Sequence, residues 1–188
     1  MTWNLTNILT VFRLLCAPGV ALVFLVLPRP VADWVALILF ASASITDFLD
    51  GYLARKWDQM SKFGAMLDPI ADKAMVVTAI AVLTMLHGVN PLIVIPAAFI
   101  LLRETFVSGL REFLGDTAGT LKVTKLAKWK TTAQMVAIAV LFAYGATASA
   151  PLFTLGLLIF WIAGILTVIT GWDYLSKAMP YLRDHHED

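Results

Sequence analysis

The sequence has little of what a soluble, secreted or nucleic-acid-binding protein needs. It holds one cysteine, Cys16, in 188 residues, which rules out a disulfide-stabilised scaffold. Charged residues make up only 14% of the chain, against about 25% in typical soluble domains. The formal net charge is +1, so there is no basic surplus for binding nucleic acid. These shortages exclude a small secreted domain, a disordered chain and a nucleic-acid-binding protein.

Apolar residues are what the sequence has in abundance, at 60% of the chain. A helix needs about 20 mostly apolar residues to cross a bilayer. Six such segments can be read, and three of the breaks between them are short turns that contain proline, at Pro28–Pro30, His87–Pro91 and Ala150–Pro151. The six segments are Asn7–Leu27, Val31–Arg55, Gly64–His87, Pro91–Phe113, Thr131–Ala148 and Leu152–Leu175. We therefore expect an all-α, polytopic membrane protein with six transmembrane helices, in which residues 1–188 form a single domain.

The basic residues predict how these helices are oriented. Of the loops after the first, third and fifth spans, only the first holds a basic residue, Arg29. The other thirteen of the fourteen lysines and arginines lie at the opposite ends of the spans. Because lysine and arginine accumulate on the cytoplasmic side, we expect both termini to be cytoplasmic.

Four aspartates lie near the cytoplasmic ends of two consecutive spans. Asp47 and Asp50 end the second span, and Asp68 and Asp72 begin the third. Residues three or four apart share one helix face, so the short turn between the spans should bring all four carboxylates together. Such a set of oxygen ligands, without histidine or cysteine, favours Mg²⁺, Mn²⁺ or Ca²⁺. The alternative is a structural role, either as polar contacts between helices or as partners of the nearby cations Arg55, Lys56 and Lys73.

These aspartates belong to a longer pattern, D-x2-D-G-x2-A-R-x8-G-x3-D-x3-D. Its eight fixed residues are Asp47, Asp50, Gly51, Ala54, Arg55, Gly64, Asp68 and Asp72. The pattern resembles the signature of the CDP-alcohol phosphatidyltransferase family, and all eight positions match. The six-helix layout covers the whole chain and is similar to the fold of that family.

The resemblance implies a reaction and a set of site residues. Members of the family move a phosphatidyl or similar group from a CDP-linked lipid to an alcohol and release CMP. By similarity, the four aspartates would hold two divalent ions, Mg²⁺ or Mn²⁺, and Asp72 would also take the proton of the acceptor hydroxyl. The residues expected to contact the CDP-lipid are Gly51, Arg55, Ser61, Asn7 and Thr10. The resemblance also suggests a homodimer.

The acceptor alcohol must be inferred from the rest of the chain. Four basic residues are expected at the depth of the aspartates, namely Arg103, Arg111, Lys128 and Lys130. Positive charge beside an acidic metal site suggests a second anionic ligand, and a phosphate on the acceptor would fit. The alternative is that these residues only follow the positive-inside rule. Glu104 could neutralise Arg103 or Arg111.

Two shorter segments resemble one subgroup of the family, the bacterial phosphatidylglycerophosphate synthases. Asn7, Thr10 and Arg13 match an N-terminal pattern N-x2-T-x2-R. The run from Lys128 to Gln134 matches G-K-x-K-T-x2-Q, except that Ala127 replaces the glycine. The resemblance thus implies CDP-diacylglycerol as the donor, sn-glycerol 3-phosphate as the acceptor, and an active site facing the cytoplasm from the bacterial inner membrane.

Three rival functions stay open on the sequence. A transferase of the same family could use inositol phosphate, serine or phosphatidylglycerol as the acceptor. A cation transporter could use the four aspartates as its ion site, although broken helices or an inverted repeat would then be expected. An intramembrane aspartyl protease fits less well, because that chemistry needs two aspartates sharing a proton.

Overall fold

The computed structural model describes residues 5–57, 62–115 and 125–182; within these ranges, the side chains at positions 5, 48–57, 62 and 125 lie outside the description. The described residues form six helices. They are α1 (Leu5–Val26), α2 (Val31–Trp57), α3 (Lys62–His87), α4 (Pro91–Leu114), α5 (Lys125–Thr147) and α6 (Ala150–Leu182). The all-α prediction is confirmed for this part of the chain.

Local sequence explains where α4 begins and ends. Asn90 caps the N-terminus, where its side-chain oxygen accepts a hydrogen bond from the backbone N–H of Leu92 at 3.0 Å. Pro91 occupies the first turn, where a missing N–H costs nothing. Gly115 ends the helix with φ +51°, a conformation that favours glycine, and its N–H bonds the carbonyls of Arg111 and Glu112.

The helices pack as one bundle. α1 lies against α2 and α3, α5 lies against α6 and α2, and α4 lies against α6. Buried aromatic rings fill the centre, where the rings of Phe40 and Phe142 lie 6.2 Å apart. Small residues let helices approach closely, as at Gly164, where an added Cβ would lie 3.0 Å from Pro96. This core fixes the relative positions of the helix ends, where the polar residues lie.

Four of the described helices are long and apolar enough to cross a membrane. Their spans are Thr6–Val26, Phe63–His87, Pro91–Leu114 and Ala150–Leu182. The other two helices, α2 and α5, coincide with the remaining predicted segments but carry more polar residues. The described part of the chain is therefore all-helical, and several of its helices are suited by length and composition to cross a membrane. The last helix also continues past Leu175, where the sequence predicts that the span ends.

An ion pair between Arg29 and Asp33 lies at one end of the bundle, and we call it the Arg29–Asp33 pair. Asp33 is fully buried, and its two carboxylate oxygens accept hydrogen bonds from Arg29 Nε at 2.7 Å and Nη2 at 2.9 Å. These bonds raise the pKa of Arg29 above its ordinary value. The carboxylate lies against Gly145, where an added Cβ would be 2.1 Å from Asp33 Oδ1. The pair thus packs at the start of α2 against the end of α5.

Candidate active site

Three aspartates meet at the other end of the bundle, and we call Asp47, Asp68 and Asp72 the carboxylate cluster. Asp47 projects from α2, and the other two project from one face of α3 because they are four residues apart. One carboxylate oxygen from each lies within 4.8 Å of the others. The side chains are 36%, 49% and 40% exposed respectively, so the cluster is open to a ligand.

Arg13 of α1 reaches into this cluster. Its Nη1 donates to Asp47 Oδ1 at 2.5 Å and also to Asp72 Oδ1, and its Nη2 lies 3.0 Å from Asp68 Oδ1. Arg13 is only 1% exposed. The sequence alone predicts that Arg13 lies on the cytoplasmic side and belongs to the N-terminal pattern. It does not predict a role for Arg13 in the site.

Asn7 and Thr10, predicted to contact the donor, lie on the same side of α1 as Arg13. Both are buried, although they stand in a helix that is otherwise strongly apolar. The hydroxyl of Thr10 donates a hydrogen bond to the carbonyl of Thr6 at 3.0 Å, so this buried donor has a partner within the helix. Asn7, Thr10 and Arg13 follow one another at intervals of three residues, which places them on one helix face. This spacing is the signal in the sequence that could have predicted a role for Arg13 in the site.

The carboxylate cluster fits a hard divalent cation. Its donor atoms are all oxygens, which Mg²⁺ and Mn²⁺ prefer. Three ionised carboxylates and one guanidinium leave an excess charge of −2 among the described side chains, which a divalent cation would neutralise. The fourth predicted ligand, Asp50, lies in α2, but its side chain is outside the description. The same holds for the side chain of Arg55, for the surroundings of Gly51 and for Ser61 as a whole.

A second group of charges lies on α4 and α5, and we call Arg103, Glu104 and Lys130 the Glu104 cluster. Lys130 Nζ lies 2.5 Å from Glu104 Oε1, and Arg103 Nη1 lies 3.1 Å from the same oxygen. Lys130 is 4% exposed. Arg103 packs on Gly171 of α6, where an added Cβ would lie 3.1 Å from Arg103 Cγ. Arg103 and Lys130 are two of the four residues predicted to bind the acceptor. They are therefore brought together, and both form ion pairs with Glu104.

The Glu104 cluster lies near the level of the carboxylate cluster. The hydroxyl of Ser44 in α2 donates to Met135 Sδ in α5 at 3.8 Å, which fixes the register of these two neighbouring helices. Asp33 lies against Gly145, Phe40 against Phe142 and Ser44 against Met135, so α2 and α5 run antiparallel. Asp47 is one turn beyond Ser44, and Lys130 is just over one turn before Met135, so the two residues lie at similar heights in the bundle.

The other two predicted acceptor residues lie apart from this cluster. Arg111 is exposed, and its guanidinium lies over the ring of Tyr174, 5.4 Å from the ring centroid. Lys128 is also exposed. Arg111 is eight residues after Arg103, which places it about 12 Å further along the helix axis. Asp173 forms an ion pair with Lys177 at 2.7 Å.

Comparisons with known proteins show which family this chain is similar to. A family model described as CDP-alcohol phosphatidyltransferase matches residues 3–169. A protein of Cereibacter sphaeroides is 55% identical over an alignment of 219 residues that covers 98% of this chain and 99% of the relative. A protein of Rickettsia bellii is 43% identical, covering 95% and 97%, and one of Haemophilus influenzae is 39% identical, covering 98% of each. All three relatives carry the name CDP-diacylglycerol–glycerol-3-phosphate 3-phosphatidyltransferase.

Proposed function

The chain belongs to the CDP-alcohol phosphatidyltransferase family, and from that premise we infer that it transfers the phosphatidyl group of CDP-diacylglycerol to sn-glycerol 3-phosphate. The products are phosphatidylglycerophosphate and CMP. The observation that carries the proposal is the convergence of Asp47, Asp68 and Asp72 at one end of the bundle. The names of relatives that align along almost the whole chain support the choice of donor and acceptor.

The carboxylate cluster serves the donor side of the reaction. Asp47, Asp68 and Asp72, together with Asp50, would hold two divalent ions, Mg²⁺ or Mn²⁺. When bound, such ions neutralise the diphosphate and stabilise the charge that develops during attack and departure. The proposed contacts with the rest of CDP-diacylglycerol come from five residues. They are Asn7, Thr10, Gly51, Arg55 and Ser61.

Asp72 is proposed to start the chemistry. Its carboxylate takes the proton of the primary hydroxyl of glycerol 3-phosphate. The oxygen then attacks the phosphorus that bears the diacylglycerol, and the bond from that phosphorus to the bridging oxygen of CMP breaks. CMP leaves with the electrons of that bond. A carboxylate is a weak base, so Asp72 depends on its position beside the hydroxyl more than on its basicity.

The Glu104 cluster is proposed to bind the phosphate of the acceptor. Arg103 and Lys130 carry two positive charges, and Glu104 offsets one of them, so the cluster retains +1. Hydrogen bonds from charged donors to a phosphate are short and strong, which favours a phosphorylated acceptor over a neutral alcohol. Arg111 and Lys128, which are exposed, are proposed to guide the anion towards this cluster from outside.

The proposal includes an arrangement in the membrane. Six transmembrane helices in one domain, residues 1–188, place both termini and the active site on the cytoplasmic side of a bacterial inner membrane. The distribution of lysine and arginine supports this orientation, because Arg29 stands alone among the basic residues in the loops of the opposite side. The acyl chains of the donor would remain in the bilayer during the reaction. A homodimer is proposed from the family resemblance.

An acceptor panel tests the function. Purified protein in detergent is given CDP-diacylglycerol, Mg²⁺ and one alcohol at a time: glycerol 3-phosphate, glycerol, inositol phosphate, serine or phosphatidylglycerol. CMP release and the mass of the lipid product are measured. We expect rapid release only with glycerol 3-phosphate, and none with EDTA. Faster turnover with another acceptor would assign the chain to a different transferase, and no release with any would favour a transporter.

A further inference from the structure

Arg13 occupies the place in the carboxylate cluster where a divalent cation is expected. Its guanidinium contacts Asp47, Asp68 and Asp72 at once. We propose that Arg13 is an exchangeable counter-ion, which holds the carboxylates together in the metal-free protein and turns to the diphosphate of the donor when a divalent cation binds. This inference rests on the proposed function.

The position of Arg13 follows from charge. The three carboxylates project from two different helices and repel one another. A guanidinium has a flat fork of donors that can serve several carboxylate oxygens at the same time, which a lysine ammonium cannot do in the same way. Because Arg13 comes from α1, it also links a third helix to the cluster. It therefore assembles the site before any ligand arrives.

The same contacts put Arg13 in competition with a metal ion. Arg13 donates hydrogen bonds to Asp47 and Asp72 and forms an ion pair with Asp68, and one oxygen from each of these carboxylates lies within 4.8 Å of the others. A divalent cation among those oxygens would repel the guanidinium at close range. Part of the Arg13 contact must therefore be given up on metal binding, so the wild-type protein binds the ion more weakly than its carboxylates alone would.

The released guanidinium needs another anion. Arg13 is almost completely buried, so water offers it little compensation. The diphosphate of the donor would arrive at this site with negative charge and oxygen acceptors, which suit a guanidinium. Arg13 is thus a positioning residue for the metal and a binding residue for the donor, and these two roles predict effects of opposite sign.

The experiment measures both affinities in Arg13→Gln. Mn²⁺ binding is followed by electron paramagnetic resonance without substrate, and CDP-diacylglycerol binding is measured at saturating Mg²⁺. We expect Mn²⁺ to bind at least about fivefold tighter than in wild type and the donor to bind about tenfold weaker. A merely structural role would weaken both. Arg29→Gln, which removes the arginine of the Arg29–Asp33 pair, is the matched control and should leave both affinities within about twofold.

A second variant covers the case in which Arg13→Gln does not fold. Arg13→Lys keeps the charge but loses the fork, so both changes should have the same signs and smaller sizes. Weaker or unchanged Mn²⁺ binding in the variants, or unchanged donor binding, overturns the role of Arg13 and leaves the transferase proposal standing. If wild-type protein binds no Mn²⁺ at all, both the metal site and this role are overturned.

Discussion

At each end of the bundle an arginine pairs with aspartate, and the two ends differ in charge balance. At one end, Arg29 meets Asp33, one cation for one anion. At the other end, Arg13 meets three carboxylates. Asp47 follows Asp33 by fourteen residues of α2, which separates the two pairs by about 21 Å along that helix.

This difference in charge balance indicates that the Arg29–Asp33 pair is structural and that the carboxylate cluster is functional. The Arg29–Asp33 pair is balanced, and its carboxylate is 1% exposed, so nothing at that carboxylate calls for a ligand. The carboxylate cluster keeps an excess of negative charge, and its side chains are between 36% and 49% exposed. A protein keeps unbalanced charge in a membrane domain only at a cost, and such positions are usually functional. Four substitutions test this comparison, and their expected effect on activity falls from the first, at Asp72, to the last, at Gly145.

The largest effect is expected from Asp72→Asn. The amide cannot take a proton from the acceptor hydroxyl, so kcat for CMP release should fall by about 10²–10⁴-fold. Binding of CDP-diacylglycerol at saturating Mg²⁺ should change by less than about threefold, because the remaining carboxylates still hold the site. If donor binding is lost together with turnover, Asp72 acts primarily as a metal ligand and the assignment of the base is unsupported.

Lys130→Gln tests the Glu104 cluster. The substitution removes one of two cations that face the proposed phosphate, so the KM for glycerol 3-phosphate should rise by about tenfold, while the KM for CDP-diacylglycerol stays near its wild-type value. Lys177→Gln is the matched control, since Lys177 pairs with Asp173 on α6 and should leave both constants unchanged. A rise in the donor KM instead would place Lys130 on the donor side of the site.

A smaller effect is expected from Gly171→Ala. The new Cβ would lie 3.1 Å from Arg103 Cγ and push that side chain slightly from its place. The KM for glycerol 3-phosphate should rise by about threefold without change in kcat. Gly109→Ala provides the comparison, because no atom lies within 4 Å of its added Cβ. Equal kinetics for the two variants would show that the position of Arg103 does not matter to the acceptor.

The smallest effect on activity is expected at the end of the bundle that holds the Arg29–Asp33 pair. In Gly145→Ala, the added Cβ would lie 2.1 Å from Asp33 Oδ1 and 2.9 Å from Arg29 Nη2, so the pair must be displaced. Thermal unfolding in detergent should begin about 5 °C lower or more, while CMP release per folded molecule should stay within about twofold of wild type. Loss of activity without loss of stability would mean that the two ends of the bundle are not independent.

Much of this arrangement follows from the sequence because hydropathy and spacing are local signals. The six helices coincide with the six apolar segments, and the i, i+4 spacing of Asp68 and Asp72 correctly places them on one face of α3. Only four residues separate α2 from α3, so the two helices are expected to be antiparallel neighbours, which brings Asp47 to the same place. These inferences need no knowledge of side-chain packing.

Other parts of the site depend on contacts between distant helices, which local signals do not reveal. Arg13 is 34 residues before Asp47 and 59 before Asp72, and nothing in its own segment indicates which anion it meets. Glu104 could have neutralised Arg103 or Arg111, and only the packing of the helices shows that it joins Arg103 to Lys130. Arg111 instead lies over an aromatic ring of α6, about 12 Å further along the axis of α4.

The comparison between the two ends is tested most directly by Asp68→Asn and Asp33→Asn, measured side by side for CMP release and thermal unfolding. Asp68→Asn should lose CMP release by about 10²-fold or more and unfold near the wild-type temperature, because it removes a ligand from a site with excess negative charge. Asp33→Asn should unfold at a lower temperature and keep its activity per folded molecule, because it breaks a balanced structural pair. Full activity in Asp68→Asn, or its loss in a folded Asp33→Asn, would contradict the assignment of chemistry to the carboxylate cluster.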